Sequence, residues 1–361
     1  MSVLTLLFCG TFLLSALFVF LVLRFARKRS LFDQIDERKV HTEQIPRLGG
    51  VGFISAYMLV ILLLTVLDFW EEPANLSFGM VLAAMVLVLV FGIRDDLKPL
   101  RARYKLGIQV LAALLIVVAG YGFRSLSFPK LGYTLILGFW RYPLTIIWIV
   151  GIINALNLID GIDGLSGGLS FIILASYSLI FSFLGYEQEF ILCILLMAAV
   201  AGFLLFNAPL PRARIFMGDT GSQFLGLFIA IIPFFESSRT LRSAVPLPFA
   251  AGLTLIPISD TFAAIWRRTR EKRGIYEPDR EHTHHKLLAL GFNALTIDLL
   301  LYAIQFWVSA CIVLALTILV SYKLQLTLAA YGLVIGFFIL LHYAYRHHVM
   351  DKKSPVQPRS F

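Results

Sequence analysis

Four groups of polar residues interrupt an otherwise apolar chain, and their types suit phosphate and metal chemistry. In Asn154-Ala-Leu-Asn157-Leu-Ile-Asp160-Gly-Ile-Asp163-Gly-Leu165, two carboxamides and two carboxylates recur every three residues. On a helix that spacing gives one slowly rotating face. Its side-chain oxygens are hard ligands of the kind Mg2+ takes, with a substrate phosphate completing the shell. Hydrogen bonding inside a membrane would account for Asn154 and Asn157, but it accounts poorly for Asp160 and Asp163, because ionisable groups beside an apolar run are costly and functional. Asp95-Asp96 precede Lys98, Arg101, Arg103 and Lys105. Such a pair can bind Mg2+, act as a general base, or simply form a charge-paired helix end, while the neighbouring bases hold a phosphate.

Phe216-Met217-Gly218-Asp219 joins a ring able to stack on a nucleobase to a carboxylate able to reach a metal. Interfacial packing is the plainer alternative for Phe216. Arg280-Glu281-His282-Thr283-His284-His285-Lys286 offers several charge-assisted donors to a diphosphate or sugar. His282 and His285 also have zinc-like spacing, although no cysteine accompanies them, and a solvated loop is the third reading. Lys39 and His41, just before Pro46-Arg47-Leu48-Gly49-Gly50, read as a further phosphate-facing element.

The elements that position these groups must cross a membrane. Of 361 residues, 59% are hydrophobic and 15% charged, and the mean hydropathy is +0.83. One soluble core cannot bury so much apolar surface. Apolar runs near 3–23, 48–67, 76–93, 105–122, 143–159, 165–184, 190–208, 221–236, 245–266, 296–319 and 325–345 predict an all-α protein of about eleven transmembrane helices. The first run lacks a small-residue cleavage site and reads as a retained helix.

Lys and Arg set the orientation. With the N-terminus outside, inner segments carry 25 of the 31 basic residues and outer segments six. The C-terminus and all four polar groups then face the cytoplasm. The net charge of +9 suits anionic lipid and polyanionic substrates; with no soluble domain to carry a groove, nucleic acid is not an expected partner. Cys9, Cys193 and Cys311 lie inside apolar runs, which argues against disulfides. Residues 1–345 read as one polytopic membrane domain, and 346–361, with Pro355 and Pro358, as a flexible cytoplasmic tail. A proton-coupled transporter or flippase is the competing class, with Asp260 and Asp298 as relay candidates, but such proteins carry repeats that this chain does not show.

Taken together, Arg38-Lys39-Val40-His41, Pro46 to Gly50, Asp95-Asp96, Lys105 with Gln109, Asn154 to Leu165, Asn207, Phe216 to Ser222 and Asp279 to His285 resemble the polyprenyl-phosphate N-acetylhexosamine-1-phosphate transferases. The Asp-Arg-Glu-His-x-His-His segment looks like the branch that uses UDP-N-acetylglucosamine, or a related UDP-N-acetylhexosamine, with undecaprenyl phosphate. The resemblance implies a multi-pass enzyme of the bacterial inner membrane, dependent on Mg2+ with Mn2+ as a substitute ion, and compatible with a homodimer. It also implies roles. Asp219 and Asn157 would be metal ligands, Asp163 and Phe216 uracil contacts, and Asp95, helped by Asp96, the catalytic carboxylate. Lys105 would hold the lipid phosphate, and Arg280, His282, His284 and His285 the sugar and diphosphate. Lys39, His41, Asn154, Asp160 and Asn207 would complete the substrate site.

Overall fold

All eleven apolar runs form helices. The computed structural model describes residues 3–32, 45–70, 76–128, 133–208, 212–238, 244–274 and 281–353. Its helices are α1 (Val3–Lys28), α2 (Gly49–Val66), α3 (Leu76–Leu97), α4 (Ala102–Val118), α5 (Arg141–Ile159), α6 (Leu165–Leu184), α7 (Glu187–Asn207), α8 (Gly218–Ile231), α9 (Leu247–Leu253), α10 (Leu255–Arg270), α11 (Thr283–Ala289), α12 (Ala294–Leu316) and α13 (Lys323–Lys353). Among the described residues, nine helical stretches are long and apolar enough to cross a membrane. At 17 residues, α4 falls short of the ~20 that a full span needs.

The run expected at 245–266 is not one straight helix. It is the pair α9 and α10, bent by 84° at Thr254. Pro257 supplies the cause, because it has no N–H to donate to the carbonyl of Leu253 four residues earlier. That freed carbonyl accepts a hydrogen bond from Gln305 Nε2 on α12 at 2.9 Å, so the break is satisfied inside the bundle.

Two further features depart from the sequence reading. The segment after α4 pairs Ser125–Phe128 with Tyr133–Ile136 as a two-stranded antiparallel ribbon, β1 and β2, a small addition to an integral membrane protein that is otherwise all-α. The boundary expected at 345 is also not a helix end, since α13 continues to Lys353. No helix breaker occurs before Pro355, and residues 354–361 lie outside those described.

The bundle is organised around α8, whose side chains are almost wholly buried. Small residues let its neighbours come close, as they do where lipid provides no hydrophobic drive between helices. A Cβ at Gly92 of α3 would lie 2.6 Å from Thr220 Cα, and one at Gly226 would lie 2.6 Å from Ile153 Cα of α5. Around the apolar part of α8 pack Phe53, Tyr57, Ile149, Ile153 and Phe203. Thus α3, α5 and α8 meet nearly backbone to backbone, at the end of the bundle where their acidic residues lie.

Candidate active site

The first turn of α8 is the hub. Gly218 adopts a left-handed φ of +74°, which a side chain would strain, and a Cβ there would run into the Arg47 carbonyl and the Asp96 carboxylate. Asp96, at the end of α3, accepts from Asp219 N at 2.8 Å, Thr220 N at 3.0 Å and Thr220 Oγ1 at 2.6 Å. A carboxylate from one helix thereby satisfies the free N–H groups at the start of another. Asp96 positions Asp219, and both of its oxygens are engaged in doing so.

Asp219 then faces two cations. Its Oδ2 lies 2.6 Å from Lys105 Nζ and its Oδ1 3.1 Å from Arg47 Nη2. Lys105 is ion-paired with Asp95 as well, and Asp95 also accepts from Leu100 N at 2.6 Å. Two like charges ~4 Å apart at an effective dielectric of ~20 repel by about 4 kcal/mol. A cation between the buried Asp95 and the half-buried Asp219 offsets that cost and fixes α3, α4 and α8 together.

The 154–163 series approaches from α5. Asn157 Nδ2 donates to Ser222 Oγ at 2.9 Å, one turn along α8 from Asp219, so the Asn157 carbonyl oxygen is left as the ligand-type atom. Asn154 donates to Gln109 Oε1 at 2.7 Å, and Gln109 donates to Gln223 Oε1 at 3.2 Å. This amide chain ties α5, α4 and α8 under the acids. Asp160 ends α5. Burial, then the Asp219 charge, pushes its carboxyl up to about 8, with Arg47 acting in the opposite direction. Asp163 Oδ2 accepts from Ala213 N at 3.4 Å.

Asn207 has a structural task. It is 4% exposed, its Oδ1 accepts from Gly164 N, and its Nδ2 donates to the Ile215 carbonyl, both at 3.0 Å. With each polar end bonded to backbone, it clamps the 160–164 and 212–217 loops. Phe216 is half-buried, and its backbone exchanges bonds with the Pro46–Gly50 segment: Phe216 N to Pro46 O at 2.8 Å, Gly49 N to Phe216 O at 2.9 Å. That exchange brings Arg47 to Asp219.

The histidines arrive on α11. His282 precedes its first turn, and Asp260 of α10 holds it there: Oδ2 is 2.7 Å from His282 Nδ1, and Oδ1 accepts from Thr283 N and Oγ1, each at 2.7 Å. Asp260 therefore anchors the start of α11. The His284 ring lies against Gly161, where any Cβ would collide with it. His285 follows with its ring centroid 4.2 Å from that of His284. Burial, followed by the neighbouring His285, holds the His284 pKa down at about 3, so the ring is neutral at pH 7. Lys39, His41 and Arg280 lie outside the described residues.

Arg47 was read only as part of the phosphate-facing 46–50 element, and neither Ser222 nor Gln223 received a role of its own, yet all three touch the site. No group of three or more His, Cys, Asp or Glu among the described residues forms a metal cage. The donor set fits a different kind of site: one accessible carboxylate and one amide oxygen, with cations occupying the carboxylate. Mg2+ characteristically binds through one or two carboxylates, keeping waters and substrate phosphates for the rest of its shell.

The chain has well-defined relatives. A family model described as glycosyl transferase family 4 matches residues 78–235. The chain is 36% identical over 305 residues to a probable undecaprenyl-phosphate N-acetylglucosaminyl 1-phosphate transferase of Bacillus subtilis (strain 168), covering 83% of this chain and 82% of that protein. It is 30% identical over 290 residues to the undecaprenyl-phosphate alpha-N-acetylglucosaminyl 1-phosphate transferase of Escherichia coli (strain K12), covering 78% and 76%. The protein of the same description from Salmonella typhimurium (strain LT2) is 32% identical over 286 residues, with coverage of 78% and 76%. With the matched family model running through the acids of α3 and α8 and the amides of α5, the chain belongs to glycosyl transferase family 4 and is a phosphoglycosyltransferase.

Proposed function

We propose that the protein transfers N-acetylglucosamine 1-phosphate from UDP-N-acetylglucosamine to undecaprenyl phosphate at the cytoplasmic face of a bacterial inner membrane, releasing UMP and starting a cell-surface glycan. The observation that supports this reading is the Lys105 bridge between Asp95 and Asp219, in which Asp95 would be the reactive carboxylate and Asp219 the metal ligand.

Asp219 and the Asn157 carbonyl would hold Mg2+, which supplies charge neutralisation for the diphosphate and the departing UMP. Asp95 takes the proton from the lipid phosphate or orients it, so that a lipid oxygen attacks the phosphorus bonded to the sugar. Asp96 keeps Asp219 in place through the first turn of α8. Lys105 and Arg47 are the cations beside the reacting phosphates. Neutral His284, with His282 and His285, offers ring N–H donors to the sugar and diphosphate. Asp163 and Phe216 face the uracil.

A panel of UDP-sugars assayed with purified protein, undecaprenyl phosphate and Mg2+ tests the reading. Lipid-dependent UMP release should be fastest with UDP-N-acetylglucosamine. A faster rate with another UDP-N-acetylhexosamine would change the sugar and keep the chemistry, and no release from any of them would end the proposal. Labelled UMP that exchanges into the UDP-sugar without lipid would make Asp95 a nucleophile instead of a base.

A further inference from the structure

The segment that carries Asp163 ends on a hinge. Gly164, the next residue, has φ +84° and ψ −29°, a left-handed conformation that glycine takes freely, and without a Cβ both torsions are soft. Rotation there would swing Asp163 relative to α6, and with it Gly161, against which the His284 ring packs.

Bonds on both sides hold the hinge. Asn207 of α7 accepts from Gly164 N at 3.0 Å and so fixes the peptide unit that Asp163 shares. The Gly164 carbonyl accepts from Gly168 N at 2.8 Å, which is the first turn of α6, and also from the Tyr302 hydroxyl of α12 at 2.6 Å. This last bond is no part of helix geometry, and it ties the hinge to a different helix.

The two helices are fitted to that bond. A Cβ at Gly168 would collide with the Tyr302 hydroxyl, so the missing side chain on α6 is what admits the phenol. Asp298, one turn before Tyr302 and so on the same face of α12, is 1% exposed and has Asp163 within electrostatic reach. Over these two turns α12 is therefore turned toward the 160–164 loop. The phenol has one proton, and it is spent on the Gly164 carbonyl.

We propose that Tyr302 is a positioning residue for the uridine half of the donor: its hydroxyl holds Gly164 and thereby sets where Asp163 meets the base. This rests on the proposed UDP-sugar reaction. Without the bond the hinge is loose before substrate arrives, and binding must order it, so the cost falls on donor affinity. The acids of α3 and α8 keep their geometry.

The experiment compares Tyr302→Phe with Tyr331→Phe in the UMP-release assay with UDP-N-acetylglucosamine, undecaprenyl phosphate and Mg2+. Tyr331 makes a similar bond elsewhere in the bundle, to the Pro248 carbonyl at 2.7 Å, and controls for general loosening. Tyr302→Phe should raise the KM for the UDP-sugar about fivefold, the equivalent of one hydrogen bond worth about 1 kcal/mol, with kcat and the lipid KM changed by less than about twofold. Tyr331→Phe should leave the UDP-sugar KM as it was. Hydrogen exchange without substrate should quicken at the amides of residues 161–164 in Tyr302→Phe and stay unchanged there in Tyr331→Phe. An equal rise in both KM values, the same rise in Tyr331→Phe, or unaltered exchange at 161–164 would overturn the inference. If the unaltered protein releases no UMP, the reaction falls and the inference with it; an active protein whose UDP-sugar KM is indifferent to Tyr302→Phe overturns the inference alone.

Discussion

Asp219 does three things at once: its backbone is held by Asp96, and its two oxygens face Lys105 and Arg47. Asp219→Asn keeps the shape and removes the charge. Turnover should fall by about a hundredfold or more, a loss at least as large as those seen when groups around a metal are altered, while membrane insertion and helical content stay as they were. Near-normal turnover would remove Asp219 from the centre. His284 makes a separate prediction. Folded, it stays neutral down to about pH 3, whereas an unfolded histidine protonates near 6.5. Between those values the unfolded chain binds the extra proton, so stability is full above 6.5 and falls as pH drops, by up to about 1.4 kcal/mol per unit. Melting temperatures between pH 7 and 5 should decline less steeply in His284→Gln, and equal slopes would show that His284 is not the buried neutral group described.

At the scale of elements, the account rests on α3 and α5 lying almost against α8, and on α11 being fastened to α10. Gly92→Val would place a branched side chain where Thr220 Cα already leaves only 2.6 Å for a Cβ. It should lower both melting temperature and turnover, because the acids of α3 ride on that contact; turnover unaffected by it would separate the helix packing from the site. Asp260→Ala removes three hydrogen bonds to His282 and Thr283, and bonds to a charged group are each worth about 1.5–3 kcal/mol. The expected signature is a KM for the UDP-sugar raised several-fold with the KM for the lipid unchanged. Equal changes in both would mean general loosening of the fold and not loss of the histidine anchor. Asp260 also marks where the sequence could and could not be read. Its presence in an apolar run announced a function, yet only the fold shows that its partner is twenty-two residues away on α11. Asn207 was singled out only by the resemblance, and its use on two backbone groups required the two loops to be seen side by side.

For the whole molecule, hydropathy located the long helices, because a run of about twenty apolar residues has few other fates, whereas the seven-residue α11, which carries the histidines, lies in no apolar run. The break at Thr254 was harder to read, since Pro257 kinks a helix only when something else satisfies the freed carbonyl, and here Gln305 does so from α12. The 25-to-six bias of basic residues gives the expected orientation. In a variant lacking the three native cysteines, a cysteine replacing Arg214 should be labelled by a membrane-impermeant thiol reagent only from the cytoplasmic side, and one replacing Tyr322 only from outside. The reverse pattern would invert the topology and move the site to the other face. The central claim is that acids and amides from three helices converge to hold a divalent cation against a diphosphate. The most direct measurement is UMP release from UDP-N-acetylglucosamine by the purified protein with undecaprenyl phosphate, before and after EDTA, with Mg2+ then restored. The account predicts release that requires the lipid, stops with EDTA and returns with Mg2+; release that continues undiminished in EDTA would contradict it.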